Sequence, residues 1–239
     1  MKVRLLSLIL VLFLLLCGCE KAPAETEAPT SKTVPTQTAP PETLPPETEE
    51  TTLPEPSPED FVRVLDYIPS AWQELMYATD RNFTGQVIYD FTDVYLRYGT
   101  VKKLMAVSED LAQLGLSLKI WDGFRPVSAQ FRLWEVCPDP AFVANPQKGF
   151  SSHSRGSTVD ITLVDTDGNE LEMPTGFDDF SKKADRDYSD CTETAASHAE
   201  LLEILMEKHG FRGYSAEWWH FSDTDEYPVE ETFAPPAKS

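Results

Sequence analysis

Between Phe13 and Phe61 the chain has no aromatic residue, and ten of its 19 prolines lie between Pro23 and Pro58. A stretch so poor in large apolar side chains cannot bury enough surface to offset the entropy of ordering it. Any packed core must therefore come from Phe61 onward, about 180 residues, enough to fold without disulfide or metal staples. That boundary divides the chain into residues 1–19, 20–60 and 61–239.

Residues 1–19 read as an export signal. Lys2 and Arg4 precede a 12-residue apolar run, Leu5 to Leu16, too short to cross a bilayer comfortably. The run ends Leu16-Cys17-Gly18-Cys19, which resembles a bacterial lipobox and implies lipidation of Cys19. An ordinary cleaved signal is the alternative. Two acyl chains on Cys19 would anchor the protein to the membrane without spanning it. Residues 20–60 are rich in Thr, Pro and Glu and are expected to be a disordered or polyproline-like tether. Forty such residues reach on the order of 120 Å, which suits a Gram-positive cell surface.

The formal charge is −20. The tether has ten acids against two lysines, and Phe61 to Ser239 has 30 acids against 16 basic residues. An acidic domain of this kind argues against nucleic acid as a partner.

Within the domain, Pro69 to Thr79 reads as a short helix. Thr100 to Leu114 is an amphipathic helix with Thr100 as its N-cap and Gly115 as its stop. Leu116, Leu118 and Ile120 alternate with Ser117, Lys119 and Trp121 as a strand, and Val127 to Val136 follows Pro126 as a helix. Val159, Ile161 and Leu163 mark a second strand with Asp160 on its polar face. Thr194 to His209 is a helix closed by Gly210, and Phe211 to Phe221 supplies the last strand or two. Short polar connections favour an α+β fold with a small central antiparallel sheet flanked by helices.

The chain has four histidines. His198 and His209 belong to the last helix and read as surface residues. His153 lies seven positions before Asp160, and His220 lies three after Glu217. Two His and one Asp form a ligand set that can hold a catalytic zinc with one position left for water, and Glu217 could take that water's proton. Taken singly, each His would more often be a satisfied core or loop residue. In a regular strand, moreover, residues three apart point to opposite faces, so Glu217 and His220 can share a site only if Glu217 sits at an irregular strand entry after the turn Tyr214-Ser215-Ala216.

Four separated segments carry a resemblance. They are Tyr77-Ala78-Thr79 with Asn82-Phe83-Thr84-Gly85, Trp121-Asp122-Gly123-Phe124-Arg125-Pro126, Ser151-Ser152-His153 through Asp160, and Glu217-Trp218-Trp219-His220. In this order they resemble the VanX-type D-alanyl-D-alanine dipeptidases, zinc enzymes in a superfamily with D,D-carboxypeptidases, lysostaphin-like endopeptidases and hedgehog domains. The resemblance implies one zinc per chain on His153, Asp160 and His220, with Glu217 as general base and Arg125 as the donor that stabilises the oxyanion. Asp178 would receive the ammonium of a dipeptide such as D-Ala-D-Ala, with Ser151 and Tyr77 contacting the substrate's ends. By itself Arg125 would read as a surface arginine, and Asp178 as one acid in an acidic loop.

Thr158 stands where such enzymes usually carry Ala. Cys137 and Cys191 either pair or remain thiols. The resistance-linked members work in the cytoplasm, whereas the export signal here implies salvage of dipeptides outside the membrane. Two other roles remain open: trimming of peptidoglycan stems by a D,D-carboxypeptidase or endopeptidase, and a non-catalytic surface protein with a structural zinc.

Overall fold

A computed structural model of the protein describes residues 55–238. The expected signal, Cys19 and nearly all of the Thr/Pro/Glu-rich segment lie outside the described residues. In chain order the domain runs β1 (Phe61–Arg63), β2 (Trp72–Gln73), β3 (Tyr95–Arg97), α1 (Tyr98–Ala112), β4 (Leu116–Asp122), α2 (Val127–Val136), β5 (Thr158–Asp165), α3 (Glu193–Lys208), β6 (Phe211–Tyr214) and β7 (Glu217–Asp223). Strands β1 and β3 form a small antiparallel pair, and the main sheet has the order β2-β4-β5-β7-β6.

The expected α+β class holds, with one correction to its sheet. Strand β2 pairs with β4 in parallel, so only the other four strands are antiparallel. A parallel neighbour needs a crossover, and the chain between β2 and β4 supplies one through β3 and α1. The helix expected at Pro69 to Thr79 is also absent: Trp72–Gln73 is this edge strand, and only Met76–Ala78 makes a single 3-10 turn. Residues just ahead of Phe61 are tied in as well, with Gly99 N–H donating to the Pro58 carbonyl and Tyr98 N–H to that of Asp60.

Helix α1 starts three residues earlier than a Thr100 cap would set it. Arg97 is its N-cap, and the buried Thr100 hydroxyl donates instead to Asp223 of β7 at 2.7 Å. Its apolar stripe, Val101, Leu104, Val107 and Leu111, is fully buried and joins Leu202, Leu205 and Met206 of α3 in the core. Helix α3 is capped by the Thr192 hydroxyl, which accepts from Ala195 N–H, and ends where Gly210 takes a left-handed φ of 85°. Helix α2 spans the expected residues, with Pro126 as its N-cap. The central strand β5 alternates apolar and polar residues, yet it is buried on both faces from Thr158 to Val164. Its polar side chains therefore need partners inside the protein.

Candidate metal centre and active site

The sheet register brings the first groups together. Asp122 at the end of β4 lies opposite Asp160 of β5, and Asp160 lies opposite His220 of β7. Directly opposed residues share a face, so three polar side chains stand in a row across the sheet. His153 arrives from the 3-10 turn Ser152–Arg155, which the Ser151 hydroxyl caps by accepting from His153 N–H. The turn leaves through Gly156 at φ 72°. A Cβ at Gly156 would approach the Phe61 ring to 2.4 Å, so the turn is closed by a residue that must be glycine.

One ligand atom from each of His153, Asp160 and His220 falls within 4.8 Å of the others. His153 Nδ1 is 2.9 Å from the Gly123 carbonyl oxygen, which can only accept. Nδ1 must therefore carry the proton when the ring is neutral, leaving the Nε2 lone pair aimed at Asp160 Oδ2, 3.3 Å away. His220 Nδ1 is 3.0 Å from Asp160 Oδ1, and that buried oxygen makes no hydrogen bond of acceptable geometry. Two imidazoles and a carboxylate turned on one point, with a carboxylate oxygen left over, suit a divalent cation of zinc's preferences. Burial opposes the charge of Asp160, but His153 and His220 outweigh it and hold the carboxyl well below its usual range.

Glu217 begins β7, directly after the two-residue turn Ser215-Ala216. Strand β6 pairs Gly213 with Phe221 and then Tyr214 with Glu217, so Trp218, Trp219 and His220 form a bulge with no opposing residues on β6. The bulge breaks the alternation that would separate Glu217 from His220, and Glu217 Oε2 lies 3.6 Å from His220 Nδ1. Burial raises the Glu217 pKa above the usual carboxylate value even though His220 pulls it down, a direction that suits a group exchanging protons near neutrality.

Arg125 is buried, not at the surface, and it is held on three sides. Its Nε donates to the Tyr89 hydroxyl at 3.1 Å, one terminal nitrogen to Gln130 Oε1 at 3.0 Å, and the other to Asp122 Oδ2 at 2.6 Å. Asp122 also accepts from Tyr89 O–H at 2.8 Å and from Gly123 N–H at 2.9 Å. Three of the five guanidinium N–H groups are thus committed, and two remain for a ligand. Burial alone would favour losing the Arg125 proton, but Tyr89 and Asp122 outweigh it and raise the pKa well above its ordinary value.

The Tyr77 ring packs against Arg125, 4.9 Å from Cζ to ring centroid, and its hydroxyl donates to Asp178 Oδ1 at 3.3 Å. Asp178 has a left-handed φ of 57°, costly for a residue with a side chain, and its Oδ2 is buried without a partner. Burial, reinforced by Asp160, pushes its pKa well above the usual range. All eight residues singled out from the sequence within the domain line one cavity of about 120 Å³. The wider clefts beside Trp72 and Arg155, about 480 and 350 Å³, gather no such ligand set.

Sequence reasoning did not find Asp122, Tyr89 and Gln130, nor Phe142, Phe180 and Trp219 in the cavity wall. Asp122 three positions before Arg125 was the available signal. Thr158 causes no disruption, since its hydroxyl pairs with Ser222 at 2.9 Å. Among the described residues, Cys137 and Cys191 are free thiols.

The model of the D-ala-D-ala dipeptidase family, Peptidase_M15, matches residues 58–239. A D-alanyl-D-alanine dipeptidase of Escherichia coli is 42% identical over 149 residues, covering 62% of this chain and 76% of that protein. The enzyme of the same name from Enterococcus faecalis is 34% identical, covering 66% of this chain and 87% of its own length. That of Streptomyces coelicolor is 31% identical, with 73% and 96% covered. With the family model spanning the whole domain that bears the site, the chain belongs to the D-Ala-D-Ala dipeptidase family of metallopeptidases.

Proposed function

We propose that the protein is a zinc-dependent D,D-dipeptidase that hydrolyses D-Ala-D-Ala, or closely related dipeptides, at the outer face of the cell membrane. The observation that carries this reading is the convergence of His153, Asp160 and His220 beside Glu217 in one small cavity. The names of the relatives support the substrate class.

His153, Asp160 and His220 would hold the ion. Zinc with three protein ligands supplies Lewis-acid chemistry, making water a nucleophile near neutral pH and polarising the scissile carbonyl. Glu217 takes the proton of the attacking water and delivers it to the leaving amine. Arg125, locked by Asp122, Tyr89 and Gln130, offers its two free N–H groups to the charge that grows on the carbonyl oxygen. Asp178 supplies the buried oxygen for the substrate ammonium. A longer peptide has a neutral amide at that point and leaves the carboxylate unpaired, which disfavours it.

Turnover of D-Ala-D-Ala with one zinc per chain is the expected result. Glu217→Gln should keep the zinc while losing about 10²–10⁴-fold in kcat. A pentapeptide stem cleaved as fast as the dipeptide would assign the carboxypeptidase reaction instead. Zinc retained by a wild-type protein that hydrolyses nothing would assign a structural metal. Anchoring through Cys19 rests on Leu16-Cys17-Gly18-Cys19, and fatty-acid labelling that disappears in Cys19→Ala is its test.

A further inference from the structure

We infer that Arg186 is a positioning residue for this site, holding the bulge of β7 in the shape that lets Glu217 and His220 converge. The three-residue bulge takes backbone carbonyls of β7 away from any β6 partner. Arg186 fills their place. One terminal nitrogen donates to both the Trp218 and the His220 carbonyl, each at 3.0 Å, while Nε donates to the Tyr214 carbonyl at 2.9 Å. A single planar guanidinium therefore ties the end of β6 to the segment that bears His220 and directly follows Glu217.

The seat of Arg186 is built for it. Its side chain is 9% exposed, and Cζ lies 4.3 Å from the centroid of the Phe221 ring. The other terminal nitrogen makes no hydrogen bond but lies at ion-pair distance, 3.4 Å, from Glu203 Oε2, which accepts from the Tyr188 hydroxyl at 2.7 Å. The backbone is tied in as well, with Arg186 N–H donating to the Ser215 carbonyl at 3.2 Å. Gly213 faces the guanidinium, and a Cβ there would stand 2.3 Å from Cζ. Any larger residue at 213 displaces the arginine. Lysine cannot replace it, because one ammonium cannot bridge carbonyls that a rigid fork spans.

The inference rests on the proposed metal site but is tested independently of the reaction. Zinc affinity is measured by chelator competition on the full chain, alongside kcat and KM for D-Ala-D-Ala, well below the melting temperature of each variant. Arg186→Lys and Gly213→Ala are each expected to weaken zinc binding about 10–100-fold, the usual scale for groups that orient metal ligands. Both should lower kcat by a similar factor while KM moves less. A purely structural arginine would lower the melting temperature alone, and unchanged zinc affinity in both folded variants overturns the inference. If wild type binds zinc but does not turn over the dipeptide, the proposed function fails while the affinity series still decides the role of Arg186.

Discussion

At the residue scale, the candidate ligands were legible because their chemistry is unusual and their offsets are short. His153 with Asp160, and Glu217 with His220, stand out in a chain with four histidines. Asp122 did not, since an aspartate at the end of a strand is common and its importance comes from burial beside a buried arginine. Removing it leaves Arg125 charged and unpaired, so Asp122→Ala is expected to cost about 3–5 kcal/mol in urea unfolding. The same variant should lower kcat, because the guanidinium loses one of its three anchors. Asp178→Asn is expected to raise KM for the dipeptide more than it lowers kcat, and to narrow the preference over a tripeptide. Steady-state kinetics on both substrates check this, and an unchanged ratio would remove Asp178 from substrate recognition.

At the element scale, α2, α3, β4 and β5 follow periodicities strong enough to read directly, whereas β2 does not. Two residues are too few to show alternation, and Trp72–Gln73 is a strand only because Lys119 and Ile120 lie beside it. The β7 bulge was equally hidden; only the demand that Glu217 reach His220 hinted at an irregular entry. The turn holding His153 is braced from the C-terminal segment, where Glu230 N–H donates to the Ser154 carbonyl at 2.8 Å and the Glu230 carboxylate pairs with Arg97 at 3.2 Å. The Thr232 hydroxyl, the N–H groups of Thr232 and Phe233, and Arg97 lower the Glu230 pKa to about 2. The unfolded value is about 4.3, so the fold favours the ionised form. Its stabilising effect is complete above that value and disappears as pH falls toward 2. Glu230→Gln should therefore melt below wild type at pH 7, with the gap closing between about pH 4.3 and 2 in thermal scans. A gap independent of pH would show that ionisation of Glu230 contributes nothing.

At the scale of the whole molecule, the candidate ligands come from β5, β7 and the turn ahead of β5, spread over residues 153 to 220, so metal binding would be coupled to folding. An ion bound only by the folded chain stabilises it by about 4 kcal/mol at a thousand times its dissociation constant. Chelation is thus expected to lower the melting temperature, and zinc to restore it, with Asp160→Asn insensitive to both. Equal melting of wild type with and without chelator would argue against a preformed site. The Tyr77 ring is set between Arg125 and Asp178, touching the guanidinium with its face and the carboxylate with its hydroxyl. A benzene ring neither stretches nor folds, so under the proposed function it would work as a fixed gauge block between the place where the bond breaks and the place where the amine end is received. Descendants of this chain that took up longer peptides would have to replace that block and the strained loop beyond it together, and divergence toward such substrates should therefore leave its trace at positions 77 and 178 in concert.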